Sequence, residues 1–160
     1  MGPYFTVQYK SKITEREKGS LDMIEDFNGI FFLVIHILVL IMISFYLTRI
    51  IFAPSGIAEE FGVDKSGIYF ARIMGTFIAP LFVIGVYIIF RDRGPAGCWI
   101  WYVTLAITSV LQLGYESSFY FKKIDAYVGA KNKLLDVIIS AIFTIISLVL
   151  IMGLSDKIYL

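Results

Sequence analysis

Five polar side chains stand inside or at the ends of otherwise apolar stretches of this chain: Arg49, Arg72, Gln112, Glu116 and Asp136. Arginine beside carboxylate can neutralise itself, hold an anionic headgroup, or pass a proton through a titratable acid such as Glu116. In hydrocarbon an unpaired charge costs at least about 2.5–3.5 kcal/mol, so these residues must find one another or reach water. Their positions bring them to one level. Arg72 lies about five residues, roughly 7 Å, into its apolar stretch, and Glu116 lies about as far from the end of the next one. Arg49 and Asp136 fall near the same face, so the expectation is a mutually neutralising cluster in which Arg72 pairs with Glu116. Gln112 and His36 would continue the polar line inward. The cluster reads first as a structural staple. Its sharper reading is a polar site for an anionic headgroup, a proton or a small substrate.

No complete catalytic or cofactor-binding set accompanies it. Cys98 is the single cysteine and His36 the single histidine, which leaves no disulfide, no CxxC pair, no paired haem ligands and no metal cage. Neither a Gly-rich phosphate loop nor a Ser/His/Asp set is present. The expectation is therefore no catalytic residue, no metal and no cofactor, with an acid/base enzyme as the third reading. A lone histidine on an apolar helix is read as an interhelical hydrogen-bond donor.

The elements that must position these groups follow from composition. Of 160 residues 58% are hydrophobic and only 17% charged, and the mean hydropathy is +0.80. Soluble domains hold roughly 45–50% apolar residues, so the solvent of this chain is lipid. A net charge of +1 excludes a strongly basic nucleic-acid binder. Four nearly uncharged stretches are long enough to span a bilayer: 29–53, 67–90, 98–121 and 134–154. Short polar connections make sequential helices antiparallel neighbours. The fold class expected is an all-α, integral membrane, four-helix antiparallel bundle over 29–154, with a polar to amphipathic tail at 1–28 and a short tail at 155–160. Trp99, Trp101 and Tyr102 at one end of the third stretch and Tyr115, Phe119, Tyr120 and Phe121 at the other are read as interfacial aromatic belts.

Four spans put both termini on one side. That side carries Lys10, Lys12, Arg16, Lys18, Arg91, Arg93 and Lys157, and the other Arg49, Lys65, Lys122, Lys123, Lys131 and Lys133. Seven against six favours cytoplasmic termini under the positive-inside rule. No apolar run in the first 28 residues reads as a signal peptide. "YFTVQY" has strand-forming composition, and Leu21, Ile24, Phe27 and Asn28 mark a helical face suited to the membrane interface. In the second stretch Ala71, Gly75 and Ala79 form a small-residue row for close helix packing, and Pro80 is expected to kink the helix.

The segment "APSGIAEEFGVDKSGIYFARIMG" resembles the junction of helices one and two in DoxX-like four-helix membrane proteins. Pro54, Phe61, Gly62, Val63, Ala71, Arg72 and Gly75 carry the resemblance. Some DoxX-like proteins are subunits of membrane oxidoreductases, so the resemblance implies an accessory role. The expected function is a non-catalytic subunit of a larger membrane complex, partnered by the bilayer and by other membrane chains. The alternative is a stand-alone or homo-oligomeric bundle that binds or carries a small molecule such as a lipid or quinone, which a large polar cavity around Arg72 and Glu116 would support.

Overall fold

A computed structural model of the chain describes residues 22–62, 64–124 and 133–160. The expected strand at "YFTVQY" and the basic connection near residue 130 lie outside them. Six helices form among the described residues: α1 (Ile30–Phe52), α2 (Pro54–Phe61), α3 (Gly67–Phe90), α4 (Trp99–Tyr120), α5 (Leu134–Gly153) and α6 (Ser155–Ile158). Residues 22–26 add a helical turn before α1, and the described residues contain no strand.

The four long helices match the four stretches read from the sequence to within a residue at each end. Lipid explains why segments so rich in Ile and Val are helical. Without water to accept them, backbone groups must bond within their own segment. Three of the helices, α1, α3 and α5, are long and apolar enough to cross a membrane. That is the composition of a membrane protein. The 22-residue α4 is less apolar, because Thr104, Thr108, Ser109, Gln112, Glu116, Ser117 and Ser118 interrupt it. α3 runs unbroken through Pro80.

One connection is more ordered than its composition implies. "PSGIAEEF" is the helix α2, begun by Pro54 in its first turn and ended by Gly62 at φ 66. Proline at the start and a left-handed glycine just past the end are the common punctuation of a short helix. Ile57 and Ala58 are its buried residues.

The helices pack as two pairs: α4 contacts α5 most extensively, and α1 contacts α3. α1 also meets α5, while α3 and α4 touch over a short stretch only. Contacts run in opposite chain order between α1 and α3, with Ile50 against Gly75 and Leu40 against Gly85. Gly75 of the small-residue row is buried, Ala79 packs against the core and Ala71 is half-buried. Two glycines set the closest approaches. A Cβ on Gly85 would stand 2.5 Å from Leu40 Cδ2 and 2.7 Å from Trp101 Cζ2, and one on Gly153 would enter the Phe32 ring at 1.9 Å. Between α4 and α5, Thr144 Oγ1 stands 3.0 Å from the Ser109 carbonyl oxygen and 2.8 Å from that of Ser140.

The segment before α1 departs from the expected interfacial face. Phe27 is fully buried, Ile24 packs against the same core, and Phe27 shares that core with Leu154 and Ile158. Asn28 (φ 54) turns the chain into α1 while its side-chain amide donates to the Gly153 carbonyl at 3.0 Å and to Asp156 Oδ1 at 2.5 Å. Phe27 and Ile24 of the apolar face read from the sequence thus pack against the ends of the long helices.

The glycine contacts make a direct prediction. Gly85→Val should destabilise the fold by about 1–3 kcal/mol, as overpacking does in a filled interior. Gly114, with nothing within 4 Å of its missing Cβ, should accept alanine at no loss. Reversible unfolding in mixed micelles measures both, and equal midpoints for the two variants would contradict the packing described.

A cleft between the helix pairs and its polar end

His36 is the node where three helices meet. Its Nε2 lies 3.0 Å from the Gly85 carbonyl oxygen on α3, and its Nδ1 lies 3.1 Å from the Tyr102 hydroxyl on α4. A carbonyl only accepts, so Nε2 carries the proton; in the neutral ring Nδ1 then accepts from Tyr102. The ring also packs against Phe27 and Trp101, at centroid distances of 5.1 and 5.0 Å. Trp101 Nε1 donates to the Leu81 carbonyl at 2.8 Å, one helical turn from Gly85. Trp101 and Tyr102, read as interfacial aromatics, are buried at 4% and 0% exposure. Trp99 is exposed. Both buried aromatics meet polar partners that hydrocarbon cannot supply.

This node draws α3 and α4 together at one level only. Beyond it, toward the C-terminal end of α4, a cleft of about 410 Å³ opens between the two helix pairs. Met42, Ile43, Ile78, Leu81, Leu105 and Phe143 give it apolar walls. Its polar members are Tyr46, Arg49, Glu60, Thr108, Gln112, Glu116, Asp136 and Ser140. α1 supplies the arginine, α2 Glu60, α4 the glutamine and Glu116, and α5 Asp136.

Four of the five residues singled out by sequence therefore line one cleft: Arg49, Gln112, Glu116 and Asp136. The fifth does not. Arg72 is exposed on α3 and lies outside the lining, so it is no part of the cleft's polar set. Arg49 makes a charge-assisted hydrogen bond with Glu60, and Lys133 Nζ joins the same carboxylate at 3.2 Å. Both ion pairs formed among the described residues end on Glu60. Sequence reasoning misses Glu60 because its segment has the composition of a loop. A signal is nonetheless there: Pro54 and Gly62 bracket a helix that swings Glu60 back over the end of α1.

Asp136 has a second occupation. Its Oδ2 accepts the Lys133 backbone N–H at 3.0 Å, so it caps the first turn of α5 and meets the positive end of the helix dipole. The Arg49 hydrogen bond, with Lys133 beside it, holds the Glu60 carboxyl below the usual carboxylate range. Among the described residues no group of three His, Cys, Asp or Glu side chains is placed to hold a metal ion. The arrangement joins an ion triad and hydrogen-bonding side chains to an apolar interior.

No family model matches the sequence, and neither a curated protein nor a solved structure matches it significantly.

Glu60 gives the site a pH signature. Because its folded value is depressed, its contribution to stability is complete above the unfolded carboxylate value of about 4.3. That contribution is lost as pH falls through the lower folded value. Unfolding measured from pH 7 downward in mixed micelles should show this loss in the wild type and a flatter profile in Glu60→Gln. Identical profiles would show that the triad adds nothing to stability. Arg72→Gln should change stability by less than about 0.5 kcal/mol, as exposed positions do, when measured in the same series.

Proposed function

We propose that this chain is a multi-pass, four-helix antiparallel membrane bundle that binds a small membrane-borne amphiphile, of the lipid or quinone class, in the cleft between its helix pairs. The single observation behind this reading is the cleft's division: apolar walls from Ile43, Leu81, Leu105 and Phe143, and a polar set from Arg49, Glu60, Gln112 and Glu116. Its volume of about 410 Å³ falls in the range of small-molecule pockets, which runs from about 300 to 1,000 Å³. A ligand's chain would lie among the aliphatic side chains while its head meets the hydrogen-bonding groups. α4, with hydroxyls and Gln112 along its length, is a span for a helix that faces a cleft rather than lipid alone. The seven-to-six count of basic residues supports cytoplasmic termini, and no catalytic role is assigned to the polar cluster.

A second reading is an accessory subunit of a larger membrane complex. It draws on α3, whose outward row of Tyr69, Phe70 and Phe77 is about two-thirds exposed. A bilayer covers such a row as well as a neighbouring subunit does, so the cleft carries the greater weight. The DoxX-like resemblance, unsupported by any family model, contributes nothing to either reading.

Native mass spectrometry of the protein purified in mild detergent tests the proposal. The expected spectrum shows the chain holding one amphiphile class, with retention falling at least about tenfold in Leu105→Trp, which fills the cleft; tenfold is only about 1.4 kcal/mol of affinity. A chain that carries no small molecule but runs with a stoichiometric set of other membrane chains would replace this reading by the second.

A further inference from the structure

A separate polar pocket lies at the opposite end of the bundle. α3 ends at Phe90 and α4 begins at Trp99, and the eight-residue connection between them carries Arg91 and Arg93. With Lys157 beyond α5 and Asp26 before α1, these residues line a cavity of about 510 Å³. Among the lining side chains three are cationic and one, Asp26, is acidic, and Leu160 lines the pocket beside them. The connection is tightly folded: Gly94 bonds back to Arg91, Ala96 to Arg93, Cys98 to Pro95, and Gly97 crosses to the Lys157 carbonyl at 3.3 Å. Pro95 is fully buried, and Gly94 sits against Asp26 and Phe27.

Those four backbone amides are already bonded, so an anion entering this pocket meets side chains. Arg91 is held in place by a contact of its Nη1 with Cys98 Sγ at 2.7 Å, whereas Arg93 is exposed. The connection is anchored to the core through Pro95 and Gly94 and, through the Gly97 N–H, to the Lys157 carbonyl, so the backbone that carries Arg91 and Arg93 is held beside Lys157.

We propose that this pocket binds the phosphate of an anionic phospholipid headgroup. Charge and place support this together. Guanidinium groups match phosphate oxygens in a planar, two-bonded fashion. The pocket lies where the spans end, at the depth at which a bilayer presents its phosphates. Basic pockets between membrane helices are the general form of headgroup sites. The bilayer supplies that phosphate at high local concentration, which favours the lipid over free phosphate as its source. The proposal depends on the membrane reading and is independent of the amphiphile cleft, since the two share no lining residue.

The test is a competition for the full-length protein in detergent between dioleoylphosphatidylglycerol and dioleoylphosphatidylcholine, read as bound lipid by native mass spectrometry. The wild type should prefer the anionic lipid by about tenfold. Arg91→Gln with Arg93→Gln should bring the preference within about twofold. Arg91→Lys with Arg93→Lys should keep most of it, and Arg72→Gln, exposed and outside both linings, should keep all of it. Lys157→Gln gives a single-site check should the double variant fail to fold. Inorganic phosphate at millimolar concentration should not displace the lipid. Equal affinity for the two lipids in the wild type would overturn the proposal, as would displacement by phosphate, which would make the pocket a free-phosphate site.

Discussion

The structure depends on one crossing. At Gly85 the absence of a side chain lets α3 approach Leu40 on α1 and Trp101 on α4 within contact distances that no Cβ could tolerate. At the same level His36 and Trp101 donate to the Gly85 and Leu81 carbonyls. In lipid, helices gain little from hiding apolar surface against one another, so close backbone approach and buried hydrogen bonds decide how they associate. This crossing supplies both to three helices at once. An unsatisfied His36 there would cost about 1–3 kcal/mol, so the side chains around it are tightly constrained.

The cleft follows from the same constraint. α3 and α4 are held together at the crossing and share little contact elsewhere, so space opens between the helix pairs toward the end where α2 folds back. There the Arg49, Glu60 and Lys133 triad closes one side, and Asp136 fixes the first turn of α5. At the opposite end Phe27, Leu154 and Ile158 seal the bundle, pinned by Asn28 to Gly153 and Asp156. One end opens into the apolar-walled cleft, and the other is packed around Phe27 with a polar pocket beside it.

Much of this architecture is legible in the amino-acid order. Uninterrupted apolar runs bounded by Gly, Pro and charge mark out four helices to within a residue or so, because lipid leaves the backbone no alternative. Depth alone gathers Arg49, Gln112, Glu116 and Asp136 into one cluster, and the isolation of His36 in an apolar run marks it as an interhelical donor. Rotation about the helix axis is less legible. Depth places Arg72 level with Glu116, but only packing determines which way each side chain points, and Arg72 points outward. Trp101 and Tyr102 are misread for the same reason: an aromatic near the end of a span suits the interface as well as the core. Ile24 and Phe27 mark a face without saying what it meets. Glu60 stays hidden because a short helix between two polar turns has the composition of a loop.

The most direct test of the crossing is nitrogen-15 NMR of the protein labelled at its only histidine, in lipid nanodiscs near neutral pH. A single neutral tautomer is expected, with the proton on Nε2 and with Nδ1 accepting a hydrogen bond whose signal shifts in Tyr102→Phe. A mixture of both tautomers, or an Nδ1 signal indifferent to Tyr102→Phe, would show that His36 does not join the three helices and that the crossing is not what holds them.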